Sequence, residues 1–412
     1  MKSADPVLSW QEARQQVLLQ TRPLSAETVE LSSALGRVLA QEVRAKRPLP
    51  PWDNSAMDGY AVRAAEVSPQ TPLQVQATIA AGHPLTEPLL PGAALRIMTG
   101  APLPSGADTV IMREEATEHD GLVRFAKKPR LGQHVRRLGE DVAQSALVLK
   151  KGAVIGPGEI GLLAALGKLL VDVHRRPTVA IVSTGDELRT ADETPQIGQI
   201  VNSNAPCLQA LVHQSGGQSR VFPIVSDKPE ELTAVFREAL SADVVLSSGG
   251  VSVGDFDFVR QALSTVGVKQ HFGRVAMKPG KPLVFSTFDA EKRTLLFGLP
   301  GNPASALVSF VLFVYPALRC LLGFGPENAA YPVASVLLNA KLVPDRERTH
   351  FLRAQVTRSR EKPDQLWAVP LARQGSGMLS SLCGMNALLE VPPGDGPLQA
   401  GSCVLANLLS MV

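Results

Sequence analysis

The sequence has 412 residues, 45% of them hydrophobic, and a formal net charge of +3 at neutral pH. A chain of this length is expected to form roughly two to four domains, and its hydrophobic fraction is that of an ordinary globular protein. The small net charge and the lack of a basic arm argue against nucleic acid as the main partner.

The sequence patterns also argue against a membrane protein and a zinc protein. The N-terminal residues are polar and carry no apolar signal-peptide core. The most apolar segment, residues 304–315, is too short to span a bilayer and is closed by Pro316 and Arg319, so a buried helix is predicted there. The four cysteines and seven histidines show neither CxxC nor HxxxH spacing, which favours free thiols in a reducing cytoplasm over a zinc site.

The first 50 residues are predicted to be mainly helical. Apolar positions predict a helix over residues 7–20. A second helix is expected to begin near Ser25, an acceptable N-cap, with Leu35, Val38 and Leu39 on its apolar face. The proline-rich residues 47–55 then predict a domain boundary.

Residues 51 to 140 are predicted to form a small β-domain, because short strands there are separated by glycine and proline. The predicted strands begin at Tyr60 and continue at residues 73–79, 95–98, 109–112 and 122–125. The next segment contains a predicted helix over residues 159–166. We expect this segment to pair with the N-terminal residues, so that the β-domain is an insertion.

Strands and helices alternate from residue 177 to 329, which predicts a mostly parallel, doubly wound sheet with helices on both faces. Ligands of such sheets bind beyond the carboxyl ends of the strands. Strands are predicted at 179–183, 221–224, 244–246, 283–285 and 295–298. Helices are predicted at 205–214, 230–240, 256–266 and from Ala304. The loops expected at this edge of the sheet are 184–188, 247–257, 277–282 and 298–305.

The expected architecture is multidomain, α/β plus β. The predicted domains are an elongated N-terminal domain of residues 1–50 and 141–176, an inserted β-domain of residues 51–140, an α/β domain of residues 177–329, and a C-terminal β-barrel or sandwich of residues 330–412.

The loop after residues 244–246 is the first candidate for ligand binding. Its glycines allow backbone N–H groups to approach a ligand, and its serines add hydroxyl donors. An anionic phosphate is the expected guest, with Asp255 and Asp257 able to hold a divalent metal against it. A plain glycine-serine connection is the alternative.

Two further loops suit an anion. Asn302 and Pro303 can begin a helix whose N-terminal N–H groups face outward, and Ser305 adds a hydroxyl. Lys278 and Lys281 flank a Pro-Gly turn, an arrangement suited to a doubly charged anion. A capped core helix and solvated surface lysines are the alternatives.

Acidic residues on separate loops are candidate Mg²⁺ ligands, since carboxylates and phosphate oxygens together are the usual ligands of this metal. The set is Asp58, Asp141, Glu187, Asp227 and Asp257. For any single member, a role in a turn or helix cap is the simpler interpretation.

In combination these motifs resemble the molybdopterin molybdenumtransferase family, the MoeA family of bacteria that also includes the gephyrin E-domain. The matching motifs lie in the family's order at residues 53–62, 98–111, 136–142, 183–188, 247–259, 277–282 and 298–306. The resemblance implies a four-domain homodimer whose α/β domain is similar to molybdopterin adenylyltransferase. It also implies that molybdenum from molybdate is inserted into adenylylated molybdopterin with release of AMP, supported by Mg²⁺.

The resemblance also assigns residues to roles, in a cleft between domains that the dimer completes. The catalytic set is Asp58, Thr99, Arg136, Asp141, Glu187, Asp227 and Asp257, of which Glu187, Asp227 and Asp257 would hold Mg²⁺. The substrate-binding set is Ser248, Gly249, Gly250, Ser252 and Gly254 for the pterin phosphate, Lys278, Lys281, Ser305, Arg353 and Ser376 for molybdate, and Pro300 and Asn302 as further members. Asn202 departs from the family, where this position is often acidic.

Two other functions remain open. The α/β domain alone could adenylylate molybdopterin, although the extra β-domains argue against that, and the protein could be a non-catalytic molybdopterin-binding scaffold. A cytoplasmic homodimer is expected, with the adenylyltransferase and molybdoenzyme-maturation proteins as candidate partners, and without nucleic acid or membrane.

Overall fold

The computed structural model describes residues 7–83, 85–249 and 258–410. The chain forms two compact units. One combines Met1–Glu27 with Val173–Val412, and the other is Thr28–Asp172. Each is described below by itself.

The main sheet of the first unit has six strands and is mostly parallel, as predicted. In spatial order the strands are Gln218–Val221, Thr178–Ser183, Val244–Ser248, Arg293–Leu299, Val284–Asp289 and Lys269–Phe272. The first four are parallel, and Val284–Asp289 is antiparallel to both of its neighbours. The strand predicted at 221–224 is misplaced, since the observed strand is Gln218–Val221 and shares only residue 221 with it. The edge strand at 269–272 was not predicted because its polar sequence has no apolar alternation.

Alternating side chains of the strands contribute to two separate cores. Val244 and Leu246 face one core, and Val245 faces the other. The first core is covered by Asn204–Gln214 and the long helix that begins at Pro303, the second by Pro229–Ala239 and Phe258–Thr265. Burying one aliphatic side chain contributes about 1.5–3 kcal/mol, so packing on both faces stabilises the sheet. The loops lie at its carboxyl-terminal edge.

A helix of 19 residues, Pro303–Leu321, crosses the first core. It is long and apolar enough to span a membrane, yet 89% of its most apolar window is buried inside the protein, as expected for a core helix. Pro316 does not end it, contrary to the prediction. A π-helical turn at Phe310–Val314 precedes the proline, and such turns relieve the clash that a proline ring creates.

The N-terminal helix, Trp10–Gln20, begins with a capping box between Ser9 and Glu12. Its buried residues Trp10 and Val17 lie in the first core of the α/β sheet. Residues up to Glu27 therefore group with the α/β unit, although the predicted N-terminal domain included them.

The second helix predicted near Ser25 is wrong. The chain forms the strand Ala26–Glu30 and the short 3-10 helix Leu31–Ser33 instead. Val38 and Leu39 are buried through backbone pairing with residues 153–154 rather than on a helical face. This distant pairing outweighs the local helical pattern.

The C-terminal domain is a closed five-stranded barrel. Its strands follow one another in the ring as Thr349–Arg358, Leu366–Pro370, Val333–Leu338, Cys403–Leu408 and Ala387–Val391, which pairs again with Thr349–Arg358. The two residues Met277–Lys278 add to this sheet by pairing with Thr349 and His350.

The second unit contains a six-stranded sheet. In spatial order its strands are Thr109–Met112, Gly59–Val62, Ala93–Ile97, Leu73–Ile79, Leu122–Phe125 and Ala116–His119. Residues on both sides of it in sequence pair with each other: Val43–Arg44 with Leu147–Leu149, Asn54–Ser55 with Val135–Arg136, and Ala26–Glu30 with Leu170–His174. This pairing agrees with an inserted β-domain, while the four-domain division stays a prediction.

Several short elements complete the fold. They are the helices Pro157–Ala165 and Pro326–Ala329, the paired strands Leu188–Arg189 and Ile200–Val201, and the 3-10 helices Ala64–Glu66, Arg113–Glu115 and Leu379–Leu382.

A buried carboxylate holds the amino-terminal edge of the main sheet. Asp243 is 1% exposed and accepts hydrogen bonds from the guanidinium of Arg175 at 2.6 and 2.7 Å, from Lys292 Nζ at 3.0 Å and from the Thr178 N–H at 2.9 Å. Burial acts to raise the pKa of Asp243, but these donors outweigh it and hold the pKa well below its usual range. The charge of Asp243 is therefore balanced by protein groups.

Candidate functional site

Three of the predicted ligand loops start side by side at the carboxyl-terminal edge of the sheet. Ser183, Ser248 and Leu299 are aligned in the register of neighbouring parallel strands. The loops that begin at residues 184, 249 and 300 are therefore adjacent, as the pattern predicted. The fourth loop, 277–282, lies between the edge strand Lys269–Phe272 and the strand Val284–Asp289. It reaches the same edge because Val284 begins an antiparallel strand and lies opposite Gly298.

Close backbone approach requires glycine at position 249. Gly249 has φ +96°, and a Cβ atom there would lie 2.6 Å from the carbonyl oxygen of Thr184. The loop that follows therefore begins with its backbone against the 184–188 loop. The predicted residues Gly250, Ser252, Gly254 and Asp257 lie outside the described residues.

Gly249→Ala is expected to lower the free energy of unfolding by at least about 1 kcal/mol more than Gly198→Ala. Both glycines have positive φ, but a Cβ atom added at Gly198 would meet no atom within 4 Å, so the comparison isolates the contact with Thr184. Urea denaturation of the two variants measures the difference. Equal losses would contradict the close approach.

Asn204 was not predicted as a site residue, although it links two of these loops. It is 9% exposed, and its Nδ2 lies 2.7 Å from Ser248 Oγ and 2.8 Å from the carbonyl oxygen of Gly301. The sequence marks it only as an asparagine at the start of a helix, a common capping position. The contact partners are 44 and 97 residues away, so only the fold reveals this arrangement.

Carboxylates gather beside the same edge. The backbone N–H of Asp227 lies 3.3 Å from Asp186 Oδ1, and partial burial together with the charges of Asp186 and Glu187 raises the pKa of Asp227. Glu187 and Asp227 are thus close enough to repel, and Asp186 is an additional member that the sequence interpretation did not include.

This carboxylate group suits a divalent cation in its chemistry, because a cation relieves the mutual repulsion and accepts oxygen ligands. Within the parts of the chain that the structure describes, no three His, Cys, Asp or Glu side chains already converge in metal-binding geometry.

The N-terminus of the long helix is more enclosed than predicted. Pro303 occupies its first turn, but the side chain of Asn302 makes no capping hydrogen bond and donates instead to Ser376 Oγ at 3.2 Å. The N–H of Ala304 donates to the carbonyl oxygen of Ser376 at 3.0 Å. The prediction that Asn302 caps the helix with its side chain and that the N–H groups all face outward is therefore wrong. The loop that carries Ser376 supplies an acceptor instead. Ser305 and Pro300 are buried behind this contact.

Arg353 is a fully buried cation on a barrel strand, with 0% of its surface exposed. Its Nη2 donates to the carbonyl oxygens of Arg373 and Gly375, both at 3.2 Å. Its Nε and Nη1 find no acceptor among the described residues, and burial lowers its pKa. A buried guanidinium without a carboxylate partner is costly in free energy, which makes it a candidate anion-binding group.

The two predicted lysines differ in their surroundings. Lys278 pairs with Asp345 at 3.5 Å and lies opposite His350 in the strand register. Hydrogen bonds from the backbone N–H of Glu347, together with Arg348, hold the pKa of Asp345 to about 2, while burial and the charge of Lys278 lower the pKa of His350 to about 4. Lys281 is exposed.

In the second unit, Asp58 and Thr99 form one hydrogen-bonded pair. The N–H and Oγ1 of Thr99 both donate to Asp58 Oδ1 at 2.7 Å, and these bonds lower the pKa of Asp58. The backbone of Ser55 bonds to both Gly100 and Ala101, which anchors the turn that carries Thr99.

Arg136 and Asp141 lie on a second loop of this unit, and both side chains are exposed. Arg136 pairs with Asn54 in a short strand, and the N–H of Asp141 donates to Leu49. Asp53, which was not predicted, accepts from Leu138 N and Arg137 Nη1 at 2.7 Å and so orders the loop between them.

Three family models match the chain in order. The MoeA N-terminal region (domain I and II) matches residues 8–167, a probable molybdopterin binding domain matches residues 180–320, and the MoeA C-terminal region (domain IV) matches residues 335–409. Together they cover both units.

Curated proteins and solved structures agree with these matches. A molybdopterin molybdenumtransferase of Nostoc sp. is 41% identical over 92% of this chain and 88% of its own, and one of Haemophilus influenzae is 35% identical over 97% and 98%. Two structures of the molybdopterin biosynthesis MoeA protein of Pyrococcus horikoshii superpose with TM-scores of 0.84 and 0.81 at 30% and 28% identity, covering 99% and 98% of this chain and all of theirs. The chain therefore belongs to the molybdopterin molybdenumtransferase (MoeA) family.

Proposed function

We propose that this protein inserts molybdenum from molybdate into adenylylated molybdopterin and releases AMP. The observation that carries the proposal is similarity along nearly the whole chain to proteins named molybdopterin molybdenumtransferase, at 41% and 35% identity. Cleavage of the phosphoanhydride by water yields AMP and the pterin phosphate. The two dithiolene sulfurs then bind molybdenum, and one molybdate oxygen leaves as water with the two S–H protons.

Phosphate recognition is assigned to the strand edge. Ser248 and the backbone that begins at Gly249 are the proposed contacts of the pterin phosphate, with Gly250, Ser252 and Gly254 continuing the loop. The support is the register of the adjacent strands and the close backbone approach at Gly249, where a residue without Cβ is required.

Mg²⁺ is the proposed metal, held by Glu187 and Asp227 together with Asp257. When bound, it would neutralise charge on the phosphoanhydride. In support, partial burial and the nearby charges of Asp186 and Glu187 raise the pKa of Asp227. Asp58, Thr99, Arg136 and Asp141 are proposed to complete the catalytic set; in support, the Asp58–Thr99 pair is ordered by two hydrogen bonds.

Molybdate, a tetrahedral dianion, is assigned to the cationic groups near the barrel. Arg353 lies behind the loop that carries Ser376, and Ser376 contacts Asn302 at the start of the long helix. Through these contacts three of the proposed ligands, Arg353, Ser376 and Asn302, lie near one another. Lys278, Lys281, Pro300 and Ser305 complete the proposed set; Lys278 would exchange Asp345 for the anion.

Homodimerisation, a cytoplasmic location and contact with the adenylyltransferase and molybdoenzyme-maturation proteins are proposed on the family resemblance. The test of function is a turnover assay with purified protein, adenylylated molybdopterin, molybdate and Mg²⁺. Molybdate-dependent AMP release with molybdenum on the pterin is expected. Consumption of ATP without AMP release from the adenylylated pterin would indicate an adenylyltransferase, and tight pterin binding without turnover would indicate a carrier or scaffold.

A further inference from the structure

Asn204 holds two loops of the site with one amide group. The same Nδ2 atom lies 2.7 Å from Ser248 Oγ and 2.8 Å from the carbonyl oxygen of Gly301. Ser248 ends a central strand, and Gly301 precedes the long helix. A buried side chain in this position sets the spacing between the two loops.

The Gly301 carbonyl fixes the orientation of the amide. A carbonyl oxygen can only accept, so the NH₂ group of Asn204, and not its oxygen, must face Gly301. The second hydrogen of that NH₂ group then points to Ser248 Oγ, which therefore acts as the acceptor. The hydroxyl proton of Ser248 is left to donate elsewhere.

No acceptor for the Ser248 proton is found among residues 7–83, 85–249 and 258–410. Ser248 is 4% exposed and lies immediately before Gly249, where the proposed phosphate loop begins. A buried hydroxyl whose proton has no acceptor among the described residues is available to donate to an anionic oxygen.

We propose that Asn204 is a positioning residue that keeps Ser248 as a hydrogen-bond donor toward the phosphate of molybdopterin. The ligand in this inference rests on the proposed function. Asn204 does not contact the ligand itself. It acts by donating a hydrogen bond to Ser248 Oγ, which leaves the Ser248 hydroxyl proton to donate to the ligand.

Asn204→Asp replaces the amide donor with a carboxylate acceptor at nearly constant side-chain volume. A carboxylate oxygen accepts the Ser248 proton and repels the Gly301 carbonyl, so the ligand loses its donor. The dissociation constant of molybdopterin is expected to rise about 30-fold in the otherwise unchanged protein but only about 3-fold in a Ser248→Ala background, since the hydroxyl is then already absent. Fluorescence titration of molybdopterin under anaerobic conditions measures all four proteins.

Asn202→Asp is the matched control. It adds the same charge two residues away and keeps the oxygen that accepts the Ala205 N–H, at 3.2 Å from Asn202 Oδ1. Its dissociation constant is expected to change less than about 2-fold, because among the described residues Ser248 Oγ is hydrogen-bonded to Asn204 and not to Asn202. An equal cost of Asn204→Asp in both backgrounds, or an equal cost of Asn202→Asp, would overturn the inference while the proposed function stands.

Wild-type protein that binds no molybdopterin would overturn the proposed function and this inference together. If Asn204→Asp fails to fold, the donor role of the Asn204 amide is tested in the wild-type protein by hydrogen exchange of its ¹⁵N-labelled side-chain amides. Slow exchange of both Asn204 amide protons supports the inference, and rapid exchange refutes it.

Discussion

Asp227→Asn is expected to lower the rate of molybdate-dependent AMP release about 100-fold, because the proposed Mg²⁺ loses one of its carboxylate ligands. The free energy of unfolding is expected to stay unchanged or to rise. Partial burial and the charges of Asp186 and Glu187 raise the pKa of Asp227, so the carboxylates repel one another in the folded protein. Neutralising one of them relieves that repulsion.

Glu230→Gln serves as the control for Asp227→Asn, since it removes an exposed carboxylate from the start of the next helix. It should leave turnover within about 2-fold of the wild-type rate, because a surface charge there contributes only a fraction of a kcal/mol. Steady-state rates over a range of Mg²⁺ concentrations and thermal unfolding of both variants test the expectation. Unchanged turnover by Asp227→Asn would remove this residue from the metal site.

Arg353→Met is expected to raise the molybdate concentration for half-maximal turnover at least about 30-fold, because the anion loses a buried charged donor. Molybdopterin binding should stay unchanged. The unfolding midpoint should remain equal or increase, because a buried guanidinium without an ion-pair partner among the described residues is replaced by an apolar chain of similar length. The variant also loses the hydrogen bonds to the carbonyl oxygens of Arg373 and Gly375, which belong to exposed residues.

Arg373→Met is the matched comparison for Arg353→Met, with the same change in charge on an exposed neighbour. Its molybdate dependence is expected to stay within about 2-fold of wild type. Titration of molybdate at saturating adenylylated molybdopterin distinguishes the two variants. If Arg353→Met unfolds at a much lower temperature and keeps its molybdate dependence, the buried cation has a structural role and is not an anion ligand.

Much of this protein could be predicted from local patterns. The alternation of apolar strands and helices from 177 to 329 predicts a mostly parallel sheet, because each strand carries apolar residues for two covered faces. The glycine at position 249 indicates close backbone approach for a similarly local reason, since only a residue without Cβ fits there.

Other features depended on contacts between distant parts of the chain. The segment after Ser25 became a strand and an irregular turn because its backbone pairs with residues more than 100 positions away. Asn302 lost its predicted capping role because Ser376, a barrel residue, provides the partners for the helix end. Contacts between distant parts of the chain also explain why Nε and Nη1 of Arg353 find no acceptor among the described residues, and why Asn204 makes its two hydrogen bonds. Local patterns were enough to place most strands of the main sheet and the loops at its edge, because secondary structure and turn chemistry are local. The pairing of polar groups in the interior, and the groups left without a partner among the described residues, depended on the folded structure, because such pairing is set by the positions of residues far apart in the chain.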